Sequence, residues 1–384
     1  MDMLAEEFPL RSDLVYLNHA AVGVWPRRTA GAVKAFAEEN MRQGAADYPQ
    51  WMKVERELRG RLKGLIGAAS ADDIALVKNT SEALSLIAYG LDWQPGDNIV
   101  SSNQEFPSNR IVWESLQNQG VELRLADISD DHPESALISI CDERTRLLTI
   151  SSVQNGTGLR MDLDRLGRFC RDQGVLFCVD AIQSLGALQF DVEACRADFV
   201  VADGHKWMLG PEGLAVFYSR PEVREQLKLL QYGWHMVQRA GDFDATPWQP
   251  AVAARRFEPG SPNMLGIHAL NASLSLLEDI GMAKIESELL SRSETLMRWV
   301  EEENDDLVLM TPTGRGHYAG IVTFRHRNLD AAGHAALYRQ LMKSGIVCAN
   351  RAGGIRLSPH FYTDVDVFMR HWAQVIRGSG ILPE

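Results

Sequence analysis

Two residues that end apolar runs carry most of the chemistry this sequence offers. Lys206 stands in Ala202-Asp203-Gly204-His205-Lys206-Trp207, directly after the run Phe199-Val200-Val201. Asp180 closes the run Val175-Leu176-Phe177-Cys178-Val179 upstream of it. Both runs read as short buried strands, and ligands of open α/β sheets collect at the carboxyl ends of such strands. A partly buried lysine is biased towards its neutral amine, which can form a Schiff base with a carbonyl. Alone, such a lysine is a loop cation and such an aspartate a turn or helix-cap residue. Together they supply what pyridoxal phosphate (PLP) requires: an amine for its aldehyde and an acid partner for its ring nitrogen.

Four further stretches could serve the same site. Lys78-Asn79-Thr80-Ser81-Glu82 precedes the apolar-periodic segment Leu84-Ile87-Ala88-Leu91, a helix start whose free N–H groups and the Thr80 and Ser81 hydroxyls could seat a phosphate. The same residues also suit plain N-capping. Glu105-Phe106-Pro107-Ser108-Asn109 follows the strand Asn98-Ile99-Val100-Ser101 and offers the flat ring of Phe106. Asn155 lies in a turn after the strand Arg146–Val153, and Gln183 stands three residues past Asp180. In Gly353-Gly354-Ile355-Arg356-Leu357, Arg356 could clamp an α-carboxylate through two parallel hydrogen bonds.

These motifs resemble the class V aminotransferases of PLP fold type I, a family that includes cysteine desulfurases, C–S lyases and isopenicillin-N epimerase-like enzymes. The resemblance runs from about Tyr16 to Trp372. It implies that Lys206 holds the cofactor and then acts as general base, and that Asp180 keeps the ring nitrogen protonated. It gives Thr80, Ser81 and His205 to the phosphate, Phe106 to the ring face, and Asn155 and Gln183 to the phenolic oxygen. Asn18 and His19, in Tyr16-Leu17-Asn18-His19-Ala20-Ala21, become substrate contacts beside Arg356. Tyr48 and Trp51 could also line a substrate pocket, although packing is the commoner use of such aromatics. Gly260 and Ser261, in Phe257-Glu258-Pro259-Gly260-Ser261-Pro262-Asn263, would reach a neighbouring subunit's phosphate, which implies a homodimer with shared sites. One departure stands out. The family often has Ser or Thr where this chain has Asp203, and a carboxylate there would repel phosphate, so Asp203 is expected to face His205 or a backbone donor.

Strands alternating with helices predict an α/β protein with a doubly wound, mainly parallel sheet and a smaller α+β C-terminal domain. We expect an N-terminal segment over 1–20 packing with the small domain, a large PLP-binding domain over 21–259 and a small domain over 260–384. The 384 residues suffice for this, and 45% hydrophobic with 23% charged residues is ordinary for a globular enzyme. A net charge of −12 argues against nucleic-acid or anionic-membrane binding. No apolar run approaches the length of a membrane helix, and the acidic N-terminus lacks a signal-peptide pattern. Five scattered cysteines without a C-x-x-C pair predict reduced thiols, no zinc or other metal site and a cytoplasmic location. No G-x-G-x-x-G, P-loop, G-x-S-x-G or H-E-x-x-H occurs, so dinucleotide and hydrolase readings lack support.

The reaction is the least determined point. A persulfide-forming desulfurase needs an accessible thiol on a mobile loop, and only Cys348, at the end of an apolar run, lies near Arg356. The expectation is therefore a C–S (β-)lyase on cysteine or a cysteine derivative, then an aminotransferase, then an epimerase or true desulfurase. A degenerate PLP fold serving as a scaffold is the non-enzyme alternative.

Overall fold

The computed structural model describes residues 3–302 and 304–379. Its centre is a seven-stranded sheet whose strands are among the most apolar runs of the chain. In chain order, β1 (Val15–Tyr16) precedes the sheet, which is built from β2 (Ile74–Val77), β3 (Asn98–Ser102), β4 (Glu122–Ala126), β5 (Thr145–Ser151), β6 (Leu176–Asp180), β7 (Phe199–Asp203) and β8 (Ala215–Ser219). The order across the sheet is β2-β8-β7-β6-β5-β3-β4. β3 to β7 run parallel, and β8 is antiparallel to both β2 and β7. Every residue of β3, β7 and β8 is buried, as a sheet covered on both faces requires. The chain's progress across the sheet reverses between β3 and β5, the kind of switch point at which strand ends open a crevice.

Helix ends fall where local chemistry places them. Asn79 caps the helix Thr80–Gly90 by accepting from Glu82 N at 2.9 Å, and Asp162 caps Leu163–Gln173 by accepting from Arg165 N at 2.9 Å. The latter helix stops at Gly174, whose φ of 68° suits a left-handed C-cap.

The second sheet comprises β9 (Leu307–Leu309), β10 (Val322–His326), β12 (Ala349–Arg351) and β13 (Gly354–Leu357), in the antiparallel order β12-β13-β10-β9. Between β10 and β12, β11 (Ile346–Val347) pairs in parallel with β1. The N-terminal strand thus pairs with a strand more than three hundred positions later, and the chain then turns back to the large sheet. Gly23 N donates to His205 O at 2.6 Å, and a Cβ on Gly23 would lie 2.1 Å from Lys206 O, so only glycine fits.

The helix Met264–Ile280 buries Met264, Ile267, Leu270, Leu274 and Leu277 in the same core as Leu58, Leu62 and Val200. It packs on the helices Arg27–Gln43 and Tyr48–Ile66, because its apolar face complements theirs. A separate core joins Leu17 of the N-terminal segment to Leu296, Trp299, Val322, Phe324, Phe368 and Trp372. No described helix is long and apolar enough to cross a membrane.

Candidate active site

The carboxyl ends of β5, β6 and β7 open onto a cavity of about 370 Å³. Asp180 and Lys206 line it, with Thr80, Ser81, Phe106, Asn155, Gln183, His205 and Arg356. Sequence spacing and backbone topology therefore bring most of the expected residues together.

Lys206 is 8% exposed, and its ammonium lies 5.5 Å from the centroid of the Phe106 ring. Burial lowers its pKa; Asp180 opposes that shift and Arg356 adds to it. Asp180 is 2% exposed and accepts one hydrogen bond, from Ile182 N at 3.0 Å. Burial raises its pKa, the Ile182 N–H pulls against it, and the charge of Glu105 adds to the rise. The pair is thus an amine biased towards neutrality and a carboxyl short of donors.

The Phe106 loop is anchored by what flanks it. Glu105 turns inward and accepts from Ser151 N (2.9 Å), Ser151 Oγ (2.6 Å), Gln154 Nε2 (2.7 Å), Asn109 Nδ2 (2.8 Å) and Ser102 Oγ (3.3 Å). Asn109 in turn accepts from Trp113 Nε1 and Thr149 Oγ1. This network ties the loop after β3 to β5 and leaves the Phe106 ring 43% exposed over the cavity.

Beside this loop, Asn79 does the capping, which frees the two hydroxyls that follow it. Thr80 Oγ1 is buried without a hydrogen-bond partner, and Ser81 Oγ donates to Ser108 Oγ at 2.9 Å. The first amides of this eleven-residue helix have no intrahelical acceptor, so the corner is a seat for an anion. Asp203 Oδ1 lies 2.9 Å from His205 Nδ1, out of line for a formed hydrogen bond, so the carboxylate faces His205 as its position suggested. Gln183 is held from two sides: Nε2 donates to Ala20 O at 3.1 Å and Oε1 accepts from Trp207 Nε1 at 2.7 Å. Its remaining amide proton stays free for the cavity.

Arg356 is 3% exposed, and burial lowers its pKa to about 10. Nη1 donates to Asn155 O at 2.8 Å, Nη2 lies 3.5 Å from Asn18 Oδ1, and Nε has no partner among the described residues. A buried guanidinium with donors to spare and no carboxylate is a site prepared for one.

Some expected residues lie elsewhere. His19 does not line the cavity; it is fully buried, with Nδ1 3.0 Å from Ser358 O and Nε2 2.7 Å from the Tyr362 hydroxyl. Its ring is shared between the N-terminal segment and the 358–362 loop, and burial lowers its pKa to about 4. Tyr48 and Trp51 are also absent from the wall, because Trp51 donates to Glu39 at 2.8 Å and packs on Phe36. Gly260 and Ser261 line a second cavity beside Lys78 and Glu82 rather than this one. Cys348 is 1% exposed, and burial pushes its thiol up to about 12.

Arg351 is the cavity residue that sequence reasoning passed over. The signal was weak: Ala352-Gly353 is not a typical hairpin dipeptide, yet both adopt positive φ (50° and 75°) and make the tight β12–β13 turn. Away from the cavity, Glu55, His235 and Glu258 converge within 4.8 Å, all buried. The Arg59 guanidinium already bonds Glu55 at 2.6 Å and Glu258 at 2.7 and 2.8 Å, so the chain's own side-chain cation fills that charge pocket.

A family model described as aminotransferase class-V matches residues 15–367. Among curated proteins, a probable cysteine desulfurase of Methanothermobacter thermautotrophicus is 31% identical, covering 93% of this chain and 92% of that one. A cysteine desulfurase of Dickeya dadantii is 32% identical over 76% of this chain and 72% of its own length. Among solved structures, the cystine C–S lyase C-DES in complex with cysteine persulfide superposes with a TM-score of 0.88 at 23% identity, covering 96% of this chain and 98% of that chain. An apo cysteine desulfurase of Thermococcus onnurineus NA1 gives a TM-score of 0.82 at 23% identity, with 98% of both chains covered.

Proposed function

The chain belongs to the class-V aminotransferase family of PLP-dependent enzymes, and we propose that within it the protein is a C–S lyase acting on cysteine or a cysteine derivative. The cavity fits the cofactor. It presents a lysine whose pKa burial lowers, a carboxyl lacking donors, an orphaned hydroxyl at a helix start and an exposed aromatic face. When bound, PLP supplies an electron-accepting ring that eases loss of a substrate Cα proton and of a β-substituent.

The chain's own groups then divide the work. Lys206 binds the aldehyde and carries the Cα proton as general base. Asp180 holds a proton at the ring nitrogen; a charged partner there completes the donor set it lacks. Thr80, Ser81, His205 and the helix amides take the phosphate, and Phe106 covers the ring. Asn155 and Gln183 face the phenolic oxygen, and Arg356 takes the substrate carboxylate with Asn18 beside it. Gly260 and Ser261, on a separate cavity, are read as completing a neighbour's phosphate site, which makes the working unit a two-fold homodimer. The reduced, dispersed cysteines support a cytoplasmic setting.

One observation favours the lyase over a persulfide-forming desulfurase. Where a thiol-bearing loop would have to reach the cavity, the chain makes a two-residue turn, and Cys348, the cysteine nearest in sequence to that turn, is buried with a raised pKa. Among the described residues no cysteine lines the cavity. Sulfur therefore has to leave with the departing group. Epimerisation is the weaker reading, because it would need a second proton donor besides Lys206, and the Phe106 ring that would cover the cofactor carries no such proton. An aminotransferase remains the second reading, since Lys206 could also return the proton to the cofactor.

The deciding experiment is product analysis with cysteine, cystine and a panel of amino acids, using wild type and Cys348→Ala. Pyruvate with ammonia, undiminished in the variant, is the expected result. A matching 2-oxo acid with the cofactor left in its amine form would establish the aminotransferase. Alanine and a Cys348-dependent persulfide would establish the desulfurase.

A further inference from the structure

The cavity contains one more guanidinium than an ordinary amino acid can use. Arg351 and Arg356 sit on facing strands of the β12–β13 hairpin, with Arg351 opposite Gly354 and Ala349 opposite Arg356. Residues two apart on a strand share a face, and so do directly opposed ones, so the two arginines project from the same face as diagonal neighbours. Both line the cavity that contains Lys206. The residue opposite Arg351 is glycine, so no cross-strand side chain faces Arg351 directly.

The hairpin is also fixed in place. Its tip packs on the turn after β5: a Cβ on Gly156 would lie 3.3 Å from Ala352 Cβ, and Thr323 Oγ1 on β10 donates to Gly156 O at 2.7 Å. Among the described residues Arg351 has no carboxylate partner; its Nη1 donates at 2.9 Å to the carbonyl of the preceding Asn350. The two acids in the cavity wall are otherwise engaged, since Asp203 faces His205 and Asp180 lies beside Lys206 at the strand ends. Positive charge near Arg356 therefore exceeds what one α-carboxylate neutralises, and the charge of Arg351 already helps to lower the pKa of Arg356.

We propose that Arg351 is a specificity residue that binds a second anionic group on the substrate side chain, so the preferred substrates are α-amino acids carrying a distal carboxylate or an equivalent oxyanion. This rests on the reading of Arg356 as the α-carboxylate clamp. A cysteine derivative with an acidic S-substituent, or the second carboxylate of cystine, would satisfy both arginines.

The test uses the holoenzyme and two unreactive acids, succinate and butanoate, titrated by calorimetry. Wild type should bind succinate about ten- to a hundredfold more tightly, the range of one charge-assisted contact. In Arg351→Gln that ratio should fall to about one, whereas Arg356→Gln should weaken both acids. An Arg351→Lys variant, which restores charge without the fork, should recover part of the preference. Equal affinity for the two acids in wild type, or a preference that survives Arg351→Gln, overturns the Arg351 assignment alone. Failure of Arg356→Gln to weaken either acid overturns the clamp on which it rests.

Discussion

Glu105 and Asp180 are both buried carboxylates at the carboxyl edge of one sheet, yet their surroundings are opposite. Glu105 accepts five hydrogen bonds from four residues, Asp180 accepts one from the backbone, and the pKa of Asp180 is raised. A carboxylate with its lone pairs filled is a structural member. One left short of donors in a buried place is costly unless a ligand completes it. The same contrast separates His19, with both nitrogens bonded, from Arg356, with donors unspent. In this chain, incompleteness of polar partners marks the site better than burial or residue type does.

The strongest way to break that contrast is to remove Glu105. Glu105→Ala strands donors from Ser151, Gln154, Asn109 and Ser102 in the interior, and should lower unfolding stability by about 4 kcal/mol. Urea unfolding of the apoprotein measures it; a loss near 1 kcal/mol would show that the network is not structural. Asp180→Asn should do the reverse. The neutral amide escapes the desolvation penalty, so apoprotein stability should hold or rise, while turnover falls by about 10²–10³-fold. Loss of stability on a par with Glu105→Ala would erase the distinction.

Much of this contrast was readable before the fold was. Lys206 and Asp180 were legible because each ends a continuous apolar run, and a parallel strand buried on both faces has little other signature. Asn155 and Gln183 were marked only by the family resemblance, because a turn Asn before Gly has no chemical signature of its own. What stayed hidden was decided by packing at long range. His19 is chemically suited to a site, but its ring meets Ser358 and Tyr362, more than three hundred positions away. The helix Met264–Ile280 is amphipathic wherever it sits, and only the matching faces of Arg27–Gln43 and Tyr48–Ile66 assign it to the large core. The strand Glu122–Ala126 escaped notice because it is an edge strand with exposed and half-buried positions. Arg351 was invisible because the hairpin presenting it turns on Ala352, a residue with no turn preference.

His19 provides a test through pH. Its pKa in the folded chain is lowered to about 4 from an ordinary 6.5, and His360 beside it is lowered as well, both by burial. Between those pH values the unfolded chain binds a proton that the folded chain refuses. The stability is therefore complete above about pH 6.5 and lost as pH falls towards 4, by on the order of 3 kcal/mol from His19. Melting temperatures between pH 4.5 and 7.5 should fall with acid in wild type and fall less in His19→Gln, with His360 supplying the residual slope. Identical slopes would mean that His19 is not held neutral by the fold.

The smallest effect should come from two adjacent residues, Asn79 and Thr80, and it sharpens the comparison most. Asn79 Oδ1 is spent on Glu82 N, so Asn79→Ala removes a satisfied cap and should cost about 1 kcal/mol of stability. Thr80 Oγ1 is buried and spends nothing, so Thr80→Val, nearly the same shape, removes an unsatisfied hydroxyl. That should leave the apoprotein as stable as wild type or slightly more so, because an orphaned buried hydroxyl is a penalty rather than a support. The cost should appear only with the cofactor present. Losing one hydrogen bond to a charged group should weaken PLP binding about tenfold, read from the visible absorption recovered on titrating PLP into apoprotein. The two substitutions should thus dissociate, one acting on folding and the other on binding. If Thr80→Val destabilises the apoprotein while its PLP affinity is unchanged, the unpartnered hydroxyl is not a ligand position, and incompleteness fails as the mark of this site.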